Sequence, residues 1–184
     1  MINDAGSQNC KEICNRFSEI VAFDLVYTSP LNRAVETAEL ISGFDQTHSR
    51  FRKVDGLVER DFKTFEGQPW EKMDQALAEN NLKNYNHLDI EPVDDVKRRL
   101  RSFLKNLQHN LGVESIYKEK MKHILIVTHG EIFSVLLELM METSTNVNAK
   151  SVQFPYWPRN LQIAKLLFQS DSFNLLDVDF SFDS

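Results

Sequence analysis

Residues 123–133 read HILIVTHGEIF, and this stretch decides the fold. The apolar and β-branched run 124–128 is too short for a helix and too apolar for a strand with one exposed face. It predicts a strand buried on both faces, as in parallel sheets. Apolar residues then recur at helical spacing, at Ile132, Val135, Leu136 and Leu139. The sequence therefore predicts a strand that ends just before His129 and a helix over 131–141.

His129 thus lies at the junction of a buried strand and a helix. In open α/β sheets ligands bind at the carboxyl ends of the strands, and unpaired N–H groups at a helix start attract anions. A titratable ring at this junction is a candidate functional group. The alternative is a histidine with a structural role at the end of a strand.

Composition and charge fit one globular domain over residues 1–184. A length of 184 residues suits a single domain, for which roughly 100–200 residues are usual. Hydrophobic residues make up 42% and charged residues 26%, an ordinary soluble composition. Because 21 Lys and Arg stand against 27 Asp and Glu, the net charge of −6 argues against nucleic acid and anionic membranes as main partners. A local basic pocket for a phosphorylated molecule remains compatible with this charge.

The cysteines and the absence of a predicted secretory signal or membrane span favour a cytoplasmic protein. Cys10 and Cys14 are four residues apart on one face of a predicted N-terminal helix and have no histidine nearby. This spacing favours two buried thiols over a zinc site. Residues 1–15 contain no apolar run typical of a secretory signal, and no stretch approaches the ~18 apolar residues of a membrane span. We therefore expect a cytoplasmic protein that binds no metal ion. The sequence does not indicate its oligomeric state.

The rest of the chain alternates strand and helix patterns, which is typical of an α/β fold. Ser29 and Pro30 are a favourable N-cap and first residue for the helix after the first predicted strand. The polar face of a later, long helix is predicted to be solvated, with Lys97, Arg98, Arg99 and Arg101. The predicted elements are, in order, a strand over 23–28, a helix over 30–41 that breaks at Gly43, an edge strand over 50–55, a loop over 56–70, a short helix over 71–78, a polar surface insertion over 79–92, a helix over 93–111 that Gly112 ends, and a terminal hairpin of strands 161–168 and 173–180.

Three polar residues stand at the ends of predicted sheet elements: Arg33, Glu59 and His129. Arg33 lies in the first turn of its helix, where a cation opposes the helix dipole, and such a placement suggests a role in holding an anion. A solvated surface arginine is the alternative. Arginine neutralises phosphate charge, histidine donates a hydrogen bond or acts as nucleophile, and glutamate protonates a leaving oxygen. Together the three residue types suit phosphoryl transfer.

Four segments resemble the histidine phosphatase superfamily, also called phosphoglycerate mutase-like, in the same order along the chain. Residues 23–38 are similar to the family's strand followed by Ser-x-x-x-Arg-Ala-x-x-Thr-Ala, and 57–67 to its Leu-x-Glu-Arg and Glu-Gly segment. Residues 93–107 resemble its long helix, and 127–130 its Val-x-His-Gly motif. Arg159-Asn160 is similar to the family's segment around an asparagine near the start of the final hairpin.

The resemblance implies a three-layer α/β/α fold with a mostly parallel, phosphoglycerate mutase-like sheet. It implies phosphomonoester hydrolysis through a phosphohistidine, with no cofactor, on a small phosphorylated molecule or a phosphoprotein. By residue, it implies that Arg33 and His129 bind phosphate, and that Arg60 contacts substrate. Glu59 and His129 are the implied catalytic residues, Glu59 as proton donor and His129 through charge stabilisation. The Glu59-Arg60 segment and the long insertion look more like phosphatases of the fructose-2,6-bisphosphatase type than like glycolytic mutases.

The Arg-His-Gly motif that ends the family's first strand and supplies its nucleophile does not occur in the sequence. Residues 2–8 resemble the segment that follows this motif, so the first strand is expected to be missing and the domain to be truncated at its N-terminus. The other histidines lie in no strand–His–Gly context; they are His48, His87, His109 and His123. We therefore expect little or no phosphatase activity. A shortened isoform, an incomplete gene model or a degenerate domain would each explain this departure.

Other functions fit some of the same residues. One is a non-catalytic anion-binding or interaction module that keeps Arg33 and His129. Another is a fragment of an active sugar-phosphate phosphatase. A serine hydrolase that uses Ser29 or Ser134 is disfavoured, because the sequence has no Gly-x-Ser-x-Gly elbow. The polar insertion does not identify a substrate.

Overall fold

The structure is a computed structural model whose described part begins at Phe23. It describes residues 23–81, 85, 88–115, 122–142, 164–168 and 175–179. The predicted N-terminal helix with Cys10 and Cys14 lies outside these residues, and so does the Arg159-Asn160 segment. Within the described part, no helix combines the length and the apolar character that crossing a membrane requires.

Among the described residues, three parallel strands form the central sheet, in the order β2-β1-β3. Their bounds are Leu25–Thr28 for β1, Phe51–Lys53 for β2 and Ile124–Val127 for β3. β1 pairs over its whole length with β3, starting with Leu25 opposite Ile124, and it pairs with β2 on its other side. The three strands predicted for these regions are confirmed, and with them a mostly parallel sheet.

β1 and β3 differ in burial. All four residues of β1 are buried, whereas all four residues of β3 are only partly buried. The strand before His129 is therefore packed on both faces, with Ile126 against one core cluster and Leu125 against the other, but it is not fully buried as predicted. The physical reason is strand pairing, because among the described residues β1 has a neighbouring strand on both sides and β3 has one on the β1 side only.

Helices form where the apolar spacing predicts them, with shifted ends. Their bounds are Asn32–Ser42 for α1, Trp70–Glu79 for α2, Val93–Ser115 for α3 and Gly130–Glu142 for α4. Gly43 ends α1 as predicted: it takes the left-handed conformation, with φ of 70°, and its N–H donates to the carbonyl of Glu39 at 2.9 Å. Gly112, in contrast, lies inside α3. A glycine inside a helix costs about 1 kcal/mol, which is too little to end a helix whose apolar stripe is buried.

The helices cover both faces of the central sheet. α1 packs on one face, where Val35 contacts the cluster around Val26. α3 and α4 pack on the opposite face, where Leu100 and Ile132 are completely buried in the cluster that contains Leu25. Leu25 and Val26 reach different layers because successive strand residues point to opposite faces. This arrangement is the predicted three-layer α/β/α fold.

The terminal hairpin is also confirmed. β4, Lys165–Phe168, pairs antiparallel with β5, Leu175–Asp179, as a separate two-stranded sheet. Their register shifts between Leu167 and Phe168. The described bounds lie within the predicted ranges 161–168 and 173–180.

The polar face of α3 is not simply solvated. Lys97 forms an ion pair with Glu138 of α4, with 3.0 Å between Nζ and Oε1. Arg99 forms an ion pair with Glu91, which belongs to the predicted surface insertion. Ile90 beside it is only 4% exposed. The end of this insertion is therefore packed against the protein, because it supplies an apolar side chain and the partner of a helix arginine.

Candidate functional site

Two neighbouring strands bring Ser29 and His129 to the same edge of the sheet. Ser29 directly follows β1, and its N–H donates to the carbonyl of Val127 in β3 at 3.0 Å. α1 begins shortly after Ser29, and α4 begins directly after His129. The starts of two helices therefore lie at this edge, and the N–H groups of a first helical turn favour an anion.

The His129 ring is buried and has a hydrogen-bond partner at each nitrogen. The residue is 7% exposed. Its Nε2 lies 2.8 Å from Oγ of Ser29, and Nε of Arg33 donates to its Nδ1 at 3.3 Å. Because a guanidinium only donates, Nδ1 is the acceptor and Nε2 carries the hydrogen.

His129 is a neutral imidazole at physiological pH. Burial, and then the positive charges of Arg33 and Arg99, lower its pKa from 6.5 to about 4. The ring therefore donates a hydrogen bond through Nε2 without a charge of its own. A bound anion would favour the protonated ring, because a nearby negative charge raises the pKa of an imidazole.

Glu59 places a carboxyl group beside this ring. Its Oε2 lies 3.9 Å from Nδ1 of His129. Burial raises the pKa of Glu59 and the charge of Glu131 adds to this effect, while the backbone N–H of Arg60, which donates to Oε1 at 3.1 Å, opposes it. A carboxyl group with a raised pKa keeps its proton at higher pH, which suits a general acid.

Arg33 is the solvent-exposed member of the group. Its Nε is used by His129, while Nη1 and Nη2 have no hydrogen-bond partner among the described residues. These two groups form the planar fork that binds carboxylate and phosphate oxygens in pairs. The contact with His129 favours a site role for Arg33 over the alternative of an unconnected surface arginine.

Arg60 is buried, and its guanidinium already forms an ion pair and a hydrogen bond within the protein. It is 4% exposed, its Nη1 lies 2.6 Å from Oε1 of Glu131, and its Nε donates to the carbonyl of Glu91 at 2.6 Å. The structure thus brings Arg33, Glu59 and His129 together and places Arg60 in an ion pair with the first turn of α4. Its role as a substrate contact stays a prediction.

Ser29, His129 and Glu59 do not form a nucleophilic triad. In such a triad the ring nitrogen that faces the serine accepts the serine proton. Here that nitrogen, Nε2, carries the hydrogen, and a pKa of about 4 makes the ring a weak base. Ser29 is also completely buried. The geometry therefore disfavours a serine hydrolase.

Ser29 is a residue of the site that the sequence analysis predicted only as the N-cap of α1. The prediction that it caps α1 is wrong, since α1 begins at Asn32 with Leu31 as N-cap and without a side-chain cap bond. A signal was available in the sequence. Ser29 and His129 each follow an apolar run that ends in threonine, so the strand ends are equivalent and their polar residues are expected to meet.

Comparison with known proteins places the chain in a family. The sequence model of the histidine phosphatase superfamily (branch 1) matches residues 1–179. The chain belongs to this superfamily. This histidine phosphatase family member is 29% identical to "Uncharacterized phosphatase PhoE" of Bacillus subtilis (strain 168), over 74% of its own length and 62% of that relative. It is 27% identical to "Fructose-2,6-bisphosphatase TIGAR B" of Danio rerio, over 77% of its own length and 65% of that relative. The chain thus spans less than two thirds of the length of these two relatives.

Solved structures support the same fold. The phosphoglycerate mutase from Bacillus anthracis str. Sterne superposes with a TM-score of 0.67 at 17% identity, over 98% of this chain and 82% of that one. At this identity the likeness concerns the fold alone. It confirms the phosphoglycerate mutase-like arrangement of a mostly parallel sheet between helices.

Proposed function

We propose that this histidine phosphatase family member binds the phosphate group of a small phosphorylated molecule or a phosphoprotein at the site of Arg33, Ser29, Glu59 and His129. One observation carries the proposal: an exposed guanidinium, a neutral imidazole and a carboxyl of raised pKa meet where two helices begin. Arginine and the helix N–H groups neutralise phosphate charge.

The reaction proposed for the lineage is phosphomonoester hydrolysis through a phosphohistidine. In it a histidine nitrogen forms a bond to phosphorus while the bond to the ester oxygen breaks, and the leaving oxygen takes a proton from a general acid. Water then attacks the phosphorus, the bond to the histidine nitrogen breaks, and inorganic phosphate is released. Glu59 is the proposed acid, since its pKa is raised. Arg33 and His129 are the proposed groups that stabilise the charge on the phosphoryl oxygens.

The sequence contains no Arg-His-Gly motif, the segment that the resemblance implies as the source of the nucleophile. His129 is the one histidine of the sequence that a β-strand precedes and a glycine follows. Other described histidines lie elsewhere: His48 stacks on Phe44, His109 is exposed on α3, and His123 precedes β3 at its opposite end. We therefore propose that the 184-residue polypeptide binds phosphate but hydrolyses phosphomonoesters poorly.

The substrate class proposed is a phosphorylated sugar or a similarly small metabolite. This proposal is supported by the Danio rerio relative, which is named as a fructose-2,6-bisphosphatase. It agrees with the resemblance of the Glu59-Arg60 segment to that type of phosphatase. A non-catalytic protein that uses the same anion site would bind phosphate in the same way. Measuring hydrolysis as well as binding distinguishes it from an active phosphatase.

The decisive experiment measures hydrolysis of 4-nitrophenyl phosphate and thermal protection by orthovanadate with the 184-residue polypeptide. His129→Ala is compared with His123→Ala, a matched control at the other end of the same strand. We expect hydrolysis near the buffer blank for all three proteins, and vanadate protection that His129→Ala loses and His123→Ala keeps. A robust rate that only His129→Ala abolishes would refute the proposed impairment. Absence of vanadate protection in the unmodified chain would refute the binding site itself.

A further inference from the structure

Arg99 ties the loop that carries Glu59 to helix α3. Its Nη1 donates to the carbonyl of Gly56 at 2.6 Å, and its Nη2 donates to the carbonyl of Glu59 at 3.5 Å. Loop and helix approach closely, since a Cβ added to Gly56 would lie 3.3 Å from the carbonyl oxygen of Arg99. One guanidinium therefore spans the loop segment 56–59.

Glu91 holds the other side of this loop. Its Oε1 and Oε2 accept from Nε and Nη2 of Arg99 at 2.9 and 3.1 Å, a bidentate pair. Its N–H donates to the carbonyl of Asp61 at 2.8 Å, and its Oε2 accepts from the N–H of Asp61 at 3.2 Å. Its carbonyl accepts from Arg60, as described above. The loop is thus fixed on both sides of Glu59.

We infer that Arg99 and Glu91 form a positioning pair that fixes the Glu59 carboxyl beside His129. The inference rests on the function proposed for this site, because it concerns the placement of the proposed general acid. Both side chains are largely shielded from water, at 22% and 19% exposure. A lysine keeps the charge at position 99 but lacks the planar fork that reaches Glu91 and the loop carbonyls at once.

A second anchor allows the positioning to be tested without unfolding the loop. Oγ1 of Thr128 donates to the carbonyl of Leu57 at 2.8 Å, and Leu57 is completely buried. Loss of the Arg99 fork therefore leaves the loop attached to the end of β3. We expect the carboxyl of Glu59 to shift and the fold to persist.

The surroundings of Glu59 make such a shift measurable. Burial is the largest cause of its raised pKa. When the loop loosens, water reaches the carboxyl, and the pKa of Glu59 falls toward its ordinary value. The positive charge of Arg99 itself lowers the pKa of Glu59, so its loss alone would raise that pKa. Arg99→Lys retains the charge, and a fall of the pKa therefore reports the position of the carboxyl. The charged and titratable groups that face Glu59 are Arg33, Arg60, Arg99, Glu131 and His129.

The experiment compares Arg99→Lys and Glu91→Gln with the matched control Arg98→Lys. Arg98 is the next residue of the same helix, is 75% exposed and pairs only with Asp95 among the ion pairs of the described residues. Two quantities are measured: the titration of the Glu59 side chain by carboxyl NMR in the ligand-free chain, and the Kd for orthovanadate between pH 6 and 9. We expect Arg99→Lys and Glu91→Gln to weaken vanadate binding about tenfold and to lower the pKa of Glu59, while Arg98→Lys leaves both unchanged.

The two readouts separate the inference from the proposed function. If the unmodified chain does not bind vanadate, the proposed function fails, and the ligand-free titration of Glu59 still decides the positioning role. A Glu59 titration that is the same in Arg99→Lys and the unmodified chain overturns the inference. A purely stabilising role would lower the unfolding temperature of Arg99→Lys and leave the Glu59 titration of the folded protein unchanged.

Discussion

Nε of Arg33 donates a hydrogen bond to Nδ1 of His129 over 3.3 Å, and this contact determines which ring nitrogen carries the proton. Nε2 then donates to Oγ of Ser29 at 2.8 Å. The same arginine suppresses the ring's positive charge and presents its remaining N–H groups to solvent. An anion at this place would bind Arg33 and favour protonation of the ring, so anion binding and proton uptake are expected to be coupled.

The first prediction concerns pH. The pKa of His129 is lowered in the folded chain to about 4 from 6.5, so between these values the unfolded chain binds a proton that the folded chain does not. The free energy of unfolding therefore falls as the pH drops from 6.5 to 4, by about 3 kcal/mol from this residue. Glu59, whose pKa is raised, has the opposite sign: its contribution is lost as the pH rises through the raised value.

Urea unfolding of the unmodified chain and His129→Gln at several pH values isolates this effect. The difference between their free energies of unfolding should shrink as the pH falls from 6.5 to 4. Histidine NMR provides the direct check. A His129 titration midpoint near 6.5 would contradict the neutral ring.

The second prediction concerns Arg33→Gln. This side chain is exposed, so the fold should persist, while orthovanadate binding should weaken by about 2 kcal/mol because a charged hydrogen-bond donor is lost. The His129 pKa should rise, since the charge of Arg33 is one of the causes that lower it. Calorimetric titration with orthovanadate measures the affinity. Arg52→Gln, an exposed residue of β2, is the control and should bind like the unmodified chain.

Local patterns in the sequence account for the fold and for half of the site. Apolar periodicity locates β1, β3 and α4, and the change from strand to helix marks His129 as a strand-end residue. Arg33 is found because a cation in a first helical turn requires an explanation. These signals lie within short stretches of the sequence, and the strands and helices form where the signals predict them.

Contacts between distant segments account for what the sequence did not predict. Arg99 lies on the apolar stripe of α3, three residues after Val96 and four before Phe103, so its position indicated burial although its charge suggested solvation. Its partner Glu91 precedes the helix in a polar stretch without periodicity. The partial burial of β3 depends on which strands pair with it. Residue types along the chain predict neither the pairing of Arg99 with Glu91 nor the partial burial of β3.

The third prediction concerns the ion pair between Arg60 and Glu131. Removing its charge by Arg60→Met leaves the Glu131 carboxylate, which is 16% exposed, without its partner at 2.6 Å. Breaking a buried ion pair in this way costs about 3–5 kcal/mol in the free energy of unfolding. Arg98→Met breaks an exposed pair on α3 and should cost no more than about 0.5 kcal/mol. Urea unfolding gives both values, and equal costs would show that the Arg60 pair contributes nothing.

The fourth prediction is a stabilising substitution, Tyr27→Phe. Tyr27 is 4% exposed and packs edge-to-face on Phe103 with ring centroids 5.6 Å apart, and its hydroxyl has no hydrogen-bond partner among the described residues. A buried hydroxyl without a partner is destabilising, so its removal should raise the free energy of unfolding by about 1 kcal/mol. Tyr85→Phe is the matched control, because the hydroxyl of Tyr85 binds the carboxylate of Asp74 and its loss should bring no gain. Urea unfolding of both variants decides the matter. A loss of stability in Tyr27→Phe would mean that its hydroxyl is bonded in solution, and the packing of β1 against α3 would then need a polar contact that the described residues do not provide.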